Sequence, residues 1–319
     1  MKTYQSSLLA AAFAIVVAGA GSANAQNAPE FTEPIRIPVY NVPDSDFIDY
    51  AFGQILTKAG YNVEYLKIDY TAHFTALEFG DIDMSPAVWG TSKDLVDKTI
   101  KSGEVVNAGS AGVKTRESWW YPNYVGELCP GLPDWKALLD PACVKALSTP
   151  ETGGAINYLG TPPDFAAYDP ERIKALGLNA HITLPGTVGT MVATMKGAIE
   201  KRQPIIGWGM TPHWLYGSGQ GKFVEFPEFD DRCPTDASWG INPNEVWDCA
   251  LSVGDIVKLY NVNFAKKAPY AIKILTNFQL STDDVATGIS RQDVDGATPE
   301  QAAQEWVDRN TEVWSKWLK

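Results

Sequence analysis

Eleven tryptophans stand in a chain of 319 residues, and their neighbours say more than their number. Trp89 follows Ser85-Pro86-Ala87-Val88 and precedes Gly90. Trp119 and Trp120 lie in Glu117-Ser118-Trp119-Trp120-Tyr121-Pro122, and Trp208 and Trp214 bracket Gly209-Met210-Thr211-Pro212-His213. Proline and glycine beside these indoles place them at element ends. Trp306, Trp314 and Trp317 instead share the terminal helix and read as core anchors. An indole face stacks on a sugar ring, or attracts a cation through the ring quadrupole. The usual catalytic signatures are absent: no G-x-S-x-G elbow, no H-E-x-x-H, no phosphate-binding loop and no dinucleotide glycine fingerprint. His73, His181 and His213 show no metal-ligand spacing. A secreted carbohydrate-active hydrolase with dispersed carboxylates is the enzyme reading that remains.

The elements that must hold these indoles alternate. Ile35 to Tyr40 reads as a strand, and Pro43-Asp44-Ser45-Asp46 opens a helix carrying Phe47, Tyr50, Ala51, Ile55 and Leu56 at helical spacing. A strand over 62–69, a helix over 72–79 stopped by Gly80, and an extended run over 82–88 follow. The pattern restarts with strands over 154–159, 181–184 and 204–208, separated by helices over 169–176 and 187–201. Trp89 and Trp208 thus fall where strands end, which is where open α/β sheets bind ligands. Thr298-Pro299-Glu300-Gln301 is a capping box for the last helix.

The chain opens with Lys2, an apolar run from Leu8 to Ala20, and Ala23-Asn24-Ala25, which reads as a secretory signal cleaved after Ala25. The remainder is expected to be exported to the periplasm. A net charge of -12 disfavours nucleic acid as a partner. Four cysteines in an oxidising compartment suggest two disulfides. Of the three possible connectivities, Cys129–Cys143 and Cys233–Cys249 are favoured, because each closes a short loop rich in Pro, Gly and Asp. The second loop is acidic. Its Asp230, Asp231, Asp236, Asn242, Asn244 and Glu245 offer hard oxygen ligands for a structural calcium ion, in competition with a solvated surface loop.

Three segments together resemble the substrate-binding proteins of glycine betaine and proline betaine ABC importers. They are Gly80-Asp81-Ile82-Asp83-Met84-Ser85-Pro86-Ala87-Val88-Trp89-Gly90, Trp119-Trp120-Tyr121-Pro122, and Trp208 to Trp214 with its W-x-x-x-P-H-W spacing. The acidic, cysteine-bearing loop looks more like the subset that handles trimethylamine N-oxide. The resemblance implies an α/β, two-lobed periplasmic binding protein of type II, each lobe a mostly parallel sheet flanked by helices. Residues 26–114 with 248–319 would form one lobe and 115–247 the other. It implies no catalysis, no required cofactor, a monomer, and the importer's permease as partner. A sensor domain on the same scaffold is the alternative.

By matched position, Trp89 would come from the first lobe, and Trp119 or Trp120 with Trp208 from the second, with Trp214 close behind. Their rings would box a methylated ammonium or sulfonium head: trimethylamine N-oxide, glycine betaine, choline or dimethylsulfoniopropionate. Such a head has no N–H to donate, so hydrogen bonding cannot select it and aromatic faces can. The ligand's other end sets specificity. A betaine carboxylate needs backbone N–H groups at a helix start, for which Thr187 is the candidate. An N-oxide bonds a protonated carboxyl group, for which Glu127 is the candidate.

Overall fold

The computed structural model describes residues 29–163, 165 and 167–319; the expected signal segment lies outside them. The first lobe begins with β1 (Ile35–Val39), α1 (Pro43–Lys58) and β2 (Val63–Lys67), a unit in which the two strands pair in parallel. Proline at the first position of α1, Asp44 and Asp46 in its first turn and Lys58 in its last all suit the helix dipole. Then come α2 (Ala72–Phe79), ended by Gly80 in the left-handed conformation, β3 (Met84–Trp89) and α3 (Lys93–Lys101).

The central feature is β4 (Val105–Pro122). From Val105 to Thr115 it pairs antiparallel with β9 (Gly254–Asn261), which also pairs antiparallel with β3. From Arg116 onward it pairs antiparallel with β7 (Ile206–Thr211) and, at its end, with β8 (Gly221–Phe223). One strand therefore serves both groups of strands, and its partners change between Thr115 and Arg116. The second lobe adds α4 (Val125–Leu128), α5 (Pro141–Leu147), β5 (Ile156–Leu159), α6 (Asp169–Ala175), β6 (Ala180–Thr183) and α7 (Val188–Glu200). There β5 pairs in parallel with β6 and β7. After β9, α8 (Val262–Lys267), α9 (Pro269–Asn277), α10 (Thr282–Asp293), α11 (Pro299–Arg309) and α12 (Thr311–Trp314) return to the first lobe, where α10 and α11 cover α1.

Each lobe is α/β, as expected, but the sheets are mixed rather than mostly parallel. The reason is the long strand β4, which pairs antiparallel with β9 over its first part and with β7 and β8 over its last. Both expected disulfides, Cys129–Cys143 and Cys233–Cys249, are present. Among the described residues no helix is long and apolar enough to cross a membrane.

Candidate functional site

A cavity of about 30 Å³ lies between the lobes beside the shared strand. Its aromatic walls come from both sides. The first lobe supplies Tyr70, just beyond β2, and Trp89, the last residue of β3. The second supplies Phe165 and Trp208, whose rings meet edge to face at 5.7 Å. Trp89 and Trp208 are 6% and 2% exposed, so their faces are withheld from bulk water.

Trp89 is tied at both ends. Its backbone N–H donates to the Tyr70 hydroxyl at 2.9 Å, and its indole N–H donates to Asp44 Oδ2 at 2.6 Å. Trp208 reaches the cavity because β7 pairs in register with β4: Trp208 stands opposite Trp119, and Met210 opposite Glu117. In a pleated pair, partners share a face. Met210 and Glu117 therefore line the same cavity as Trp208.

Among the described residues Glu117 is the one ionisable side chain besides Tyr70 on the cavity wall, and no Lys, Arg or His lines it. Burial pushes its carboxyl up to about 7, against a hydrogen bond from Thr91, and the charges of Asp44 and Asp169 push the same way as burial. Close to neutral pH this group is therefore shared between a proton-donating acid and an anion.

The residues expected from the sequence divide clearly. Trp89 and Trp208 line the cavity, on opposite lobes. Trp119 does not. Its indole N–H donates to buried Asp169 at 2.8 Å and its ring stacks on Tyr158 at 3.9 Å. Asp169 also takes Tyr158 and Arg172 at 2.8 Å each, so Trp119 is one of three donors that satisfy a buried carboxylate. Trp120 points to the other face of β4, as alternation along a strand requires, and packs edge to face on Tyr216. Trp214 stands off the cavity with its indole N–H on Asp293 at 2.7 Å. Glu127 is exposed on α4, away from the cavity wall, because α4 is a surface turn after the strand. Thr187 caps α7 at an exposed position, also off the wall.

Sequence reasoning passed over Tyr70, Phe165 and Glu117. Glu117 carried a signal: it stands two residues before Trp119 in a segment already singled out, and on a strand that spacing means the same face.

The acidic loop distributes its oxygens among separate partners. Asp230 pairs with Arg232 at 2.8 Å, Asp231 lies 3.7 Å from Lys93, and Glu245 pairs with Lys174 at 2.8 Å. Asp236 accepts from the backbone and hydroxyl of Ser238, and the Asn244 N–H donates to Asn242. Among the described residues no group of three or more His, Cys, Asp or Glu converges as metal ligands would.

Comparison with known proteins fits this geometry. Residues 33–309 match the OpuAC family, described as the substrate binding domain of ABC-type glycine betaine transport systems. The chain belongs to the OpuAC family. This OpuAC protein is 32% identical over 313 residues to the trimethylamine N-oxide-binding protein of Pelagibacter ubique strain HTCC1062, spanning 96% of this chain and 97% of that one. It shares its fold with lactococcal OpuAC in a closed complex with glycine betaine (TM-score 0.67, 18% identity, covering 90% of this chain and 100% of that one). A choline-binding protein of an ABC transporter, in complex with choline, is similar at TM-score 0.70 and 17% identity, over 89% of this chain and 91% of that one. OpuAC members are transporter binding proteins rather than enzymes, so the hydrolase alternative falls.

Proposed function

We propose that this OpuAC protein captures a small methylated onium compound outside the cytoplasm and presents it to the permease of an ABC importer, and that trimethylamine N-oxide is its preferred ligand. The observation that carries the choice is the cavity wall, which among the described residues has four aromatic rings from two lobes and one carboxyl, Glu117, with no cationic side chain. The rings receive the methylated head. Each desolvated ring face contributes about 0.5–2 kcal/mol, so four together supply a large part of the roughly 8 kcal/mol that a micromolar constant represents. The Glu117 carboxyl, holding a proton, donates it to the N-oxide oxygen. Among the described residues of this wall a betaine carboxylate finds no Lys, Arg or His, and it meets the like charge of Glu117 whenever that group is ionised. The strong relationship to a trimethylamine N-oxide-binding protein supports the same choice.

Calorimetric titration of the purified chain tests the proposal. Trimethylamine N-oxide is expected to bind most tightly and choline next, with glycine betaine and dimethylsulfoniopropionate, both carboxylates, weaker by at least about tenfold. Sugars are expected to give no heat. Glycine betaine binding more tightly than the N-oxide would overturn the ligand assignment.

A further inference from the structure

We infer that Asp44, which does not itself line the cavity, is a positioning residue that holds the Trp89 indole and enriches in electrons the face it turns to the ligand. The inference rests on reading the cavity as a site for a methylated onium head. Its neighbours Val42 and Ser45 reach the cavity wall, while Asp44 is fully buried behind it. Asp44 Oδ2 accepts the Trp89 indole N–H at 2.6 Å and the Ser45 hydroxyl at 3.2 Å.

Two effects follow. The hydrogen bond fixes the ring's rotation, so the face stays presented to the cavity. An N–H that donates to an anion also shifts electron density into the indole, and the ring quadrupole that attracts cations grows with that density. The carboxylate can be kept as an anion because it sits in the first turn of sixteen-residue α1, where free backbone N–H groups favour negative charge. Burial is the largest influence and leaves its carboxyl above the ordinary value, while Trp89, its own backbone N–H, Ser45 and the His213 ring from the second lobe act in the opposite direction. Asp46 on the same turn and Glu117 across the cavity add negative charge nearby.

The test uses choline and its neutral isostere, in which a quaternary carbon replaces the nitrogen. Asp44→Asn keeps the shape and an acceptor oxygen but removes the charge. It is expected to weaken choline about tenfold and leave the neutral isostere within about twofold. Unchanged choline binding, or equal loss of both compounds, overturns the inference. A second measurement needs no folded Asp44 variant. In the unsubstituted chain the Trp89 indole proton, assigned by its loss in Trp89→Phe, is expected far downfield, slow to exchange, and shifted by choline. A resonance typical of a water-exposed indole overturns the inference. If the unsubstituted chain binds neither choline nor trimethylamine N-oxide, the reading of the cavity fails instead, and the indole resonance still decides the Asp44 contact.

Discussion

Burial lifts the Glu117 carboxyl to about 7, and the sign of every pH effect at this site follows from that. Below that value the group is a neutral donor suited to an N-oxide oxygen. Above it the group is an anion that repels the oxygen and attracts a cationic head. Trimethylamine N-oxide affinity is therefore expected to fall as pH rises through about 7, while choline affinity rises over the same interval. Glu117→Gln, which donates at every pH, is expected to flatten both profiles; calorimetry across that range checks it. Stability carries the same sign. The folded state holds the proton above the ordinary carboxylate range of 4.5, so this contribution is present at low pH and lost as pH rises through about 7. The tryptophans divide at this scale too. Trp208→Ala is expected to cost about one to two orders of magnitude in affinity with the fold retained. Trp119→Ala is expected to lose about 3–5 kcal/mol of stability in urea titration, because it empties a packed site and strips a donor from buried Asp169. The sequence could show that indoles cluster beside breakers. It could not show that neither of the two adjacent indoles lines the cavity, because that depends on partners distant in sequence: Asp169 and Tyr158 hold Trp119, and Tyr216 packs on Trp120.

At the scale of elements, periodic segments were legible and irregular ones were not. The first strand–helix–strand unit, the helix over 188–200 and the capping box before α11 each announce themselves through spacing and caps. The longest strand, β4, did not. Its register shifts twice, between Asn107 and Ser110 and between Ser110 and Lys114, so no single alternation runs through it. Gly112 marks the second shift with φ of +87°, and a Cβ there would meet Leu280 O at 2.5 Å. Missing β4 is why the sheets read as mostly parallel. The acidic loop is the opposite case: its disulfide was legible from cysteine spacing, but composition alone could not tell convergent oxygens from dispersed ones. Its carboxylates are taken up by Arg232, Lys93, Lys174 and Ser238, and the Arg172 Nε–H donates to Cys249 O at 2.8 Å, fastening the loop to α6. Chelator is accordingly expected to leave the melting temperature unchanged. Replacing Cys233 and Cys249 by serine is expected to cost about 3 kcal/mol, as opening a loop of 16 residues should; thermal melts of both samples check the pair of statements.

The cavity lies where two lobes meet, and the lobes have contacts of their own away from it. On one side Asp293, at the end of α10 in the first lobe, accepts the Trp214 indole N–H at 2.7 Å and lies 3.3 Å from His213 Nε2, both from the second lobe. The Leu215 N–H donates to His213 Nδ1, which leaves Nε2 as the ring nitrogen that faces Asp293. On the other side the Tyr168 hydroxyl of the second lobe donates to Asp94 on α3 at 2.7 Å. An opening of the lobes would break these bonds, so they would bias an open–closed equilibrium without touching the ligand. Apparent affinity scales with the fraction of molecules able to close. Removing the Asp293 acceptor forfeits a charge-assisted bond of about 1.5 kcal/mol, so Asp293→Ala is expected to weaken binding about tenfold. Because the loss acts on closure, the factor should be the same for trimethylamine N-oxide and choline, unlike the ligand-dependent effects argued for Glu117 and Asp44. Small-angle scattering of the ligand-free variant should show a larger radius of gyration, restored at saturating ligand. A loss confined to one ligand, or a scattering curve unchanged from the parent, would place Asp293 outside the closure equilibrium.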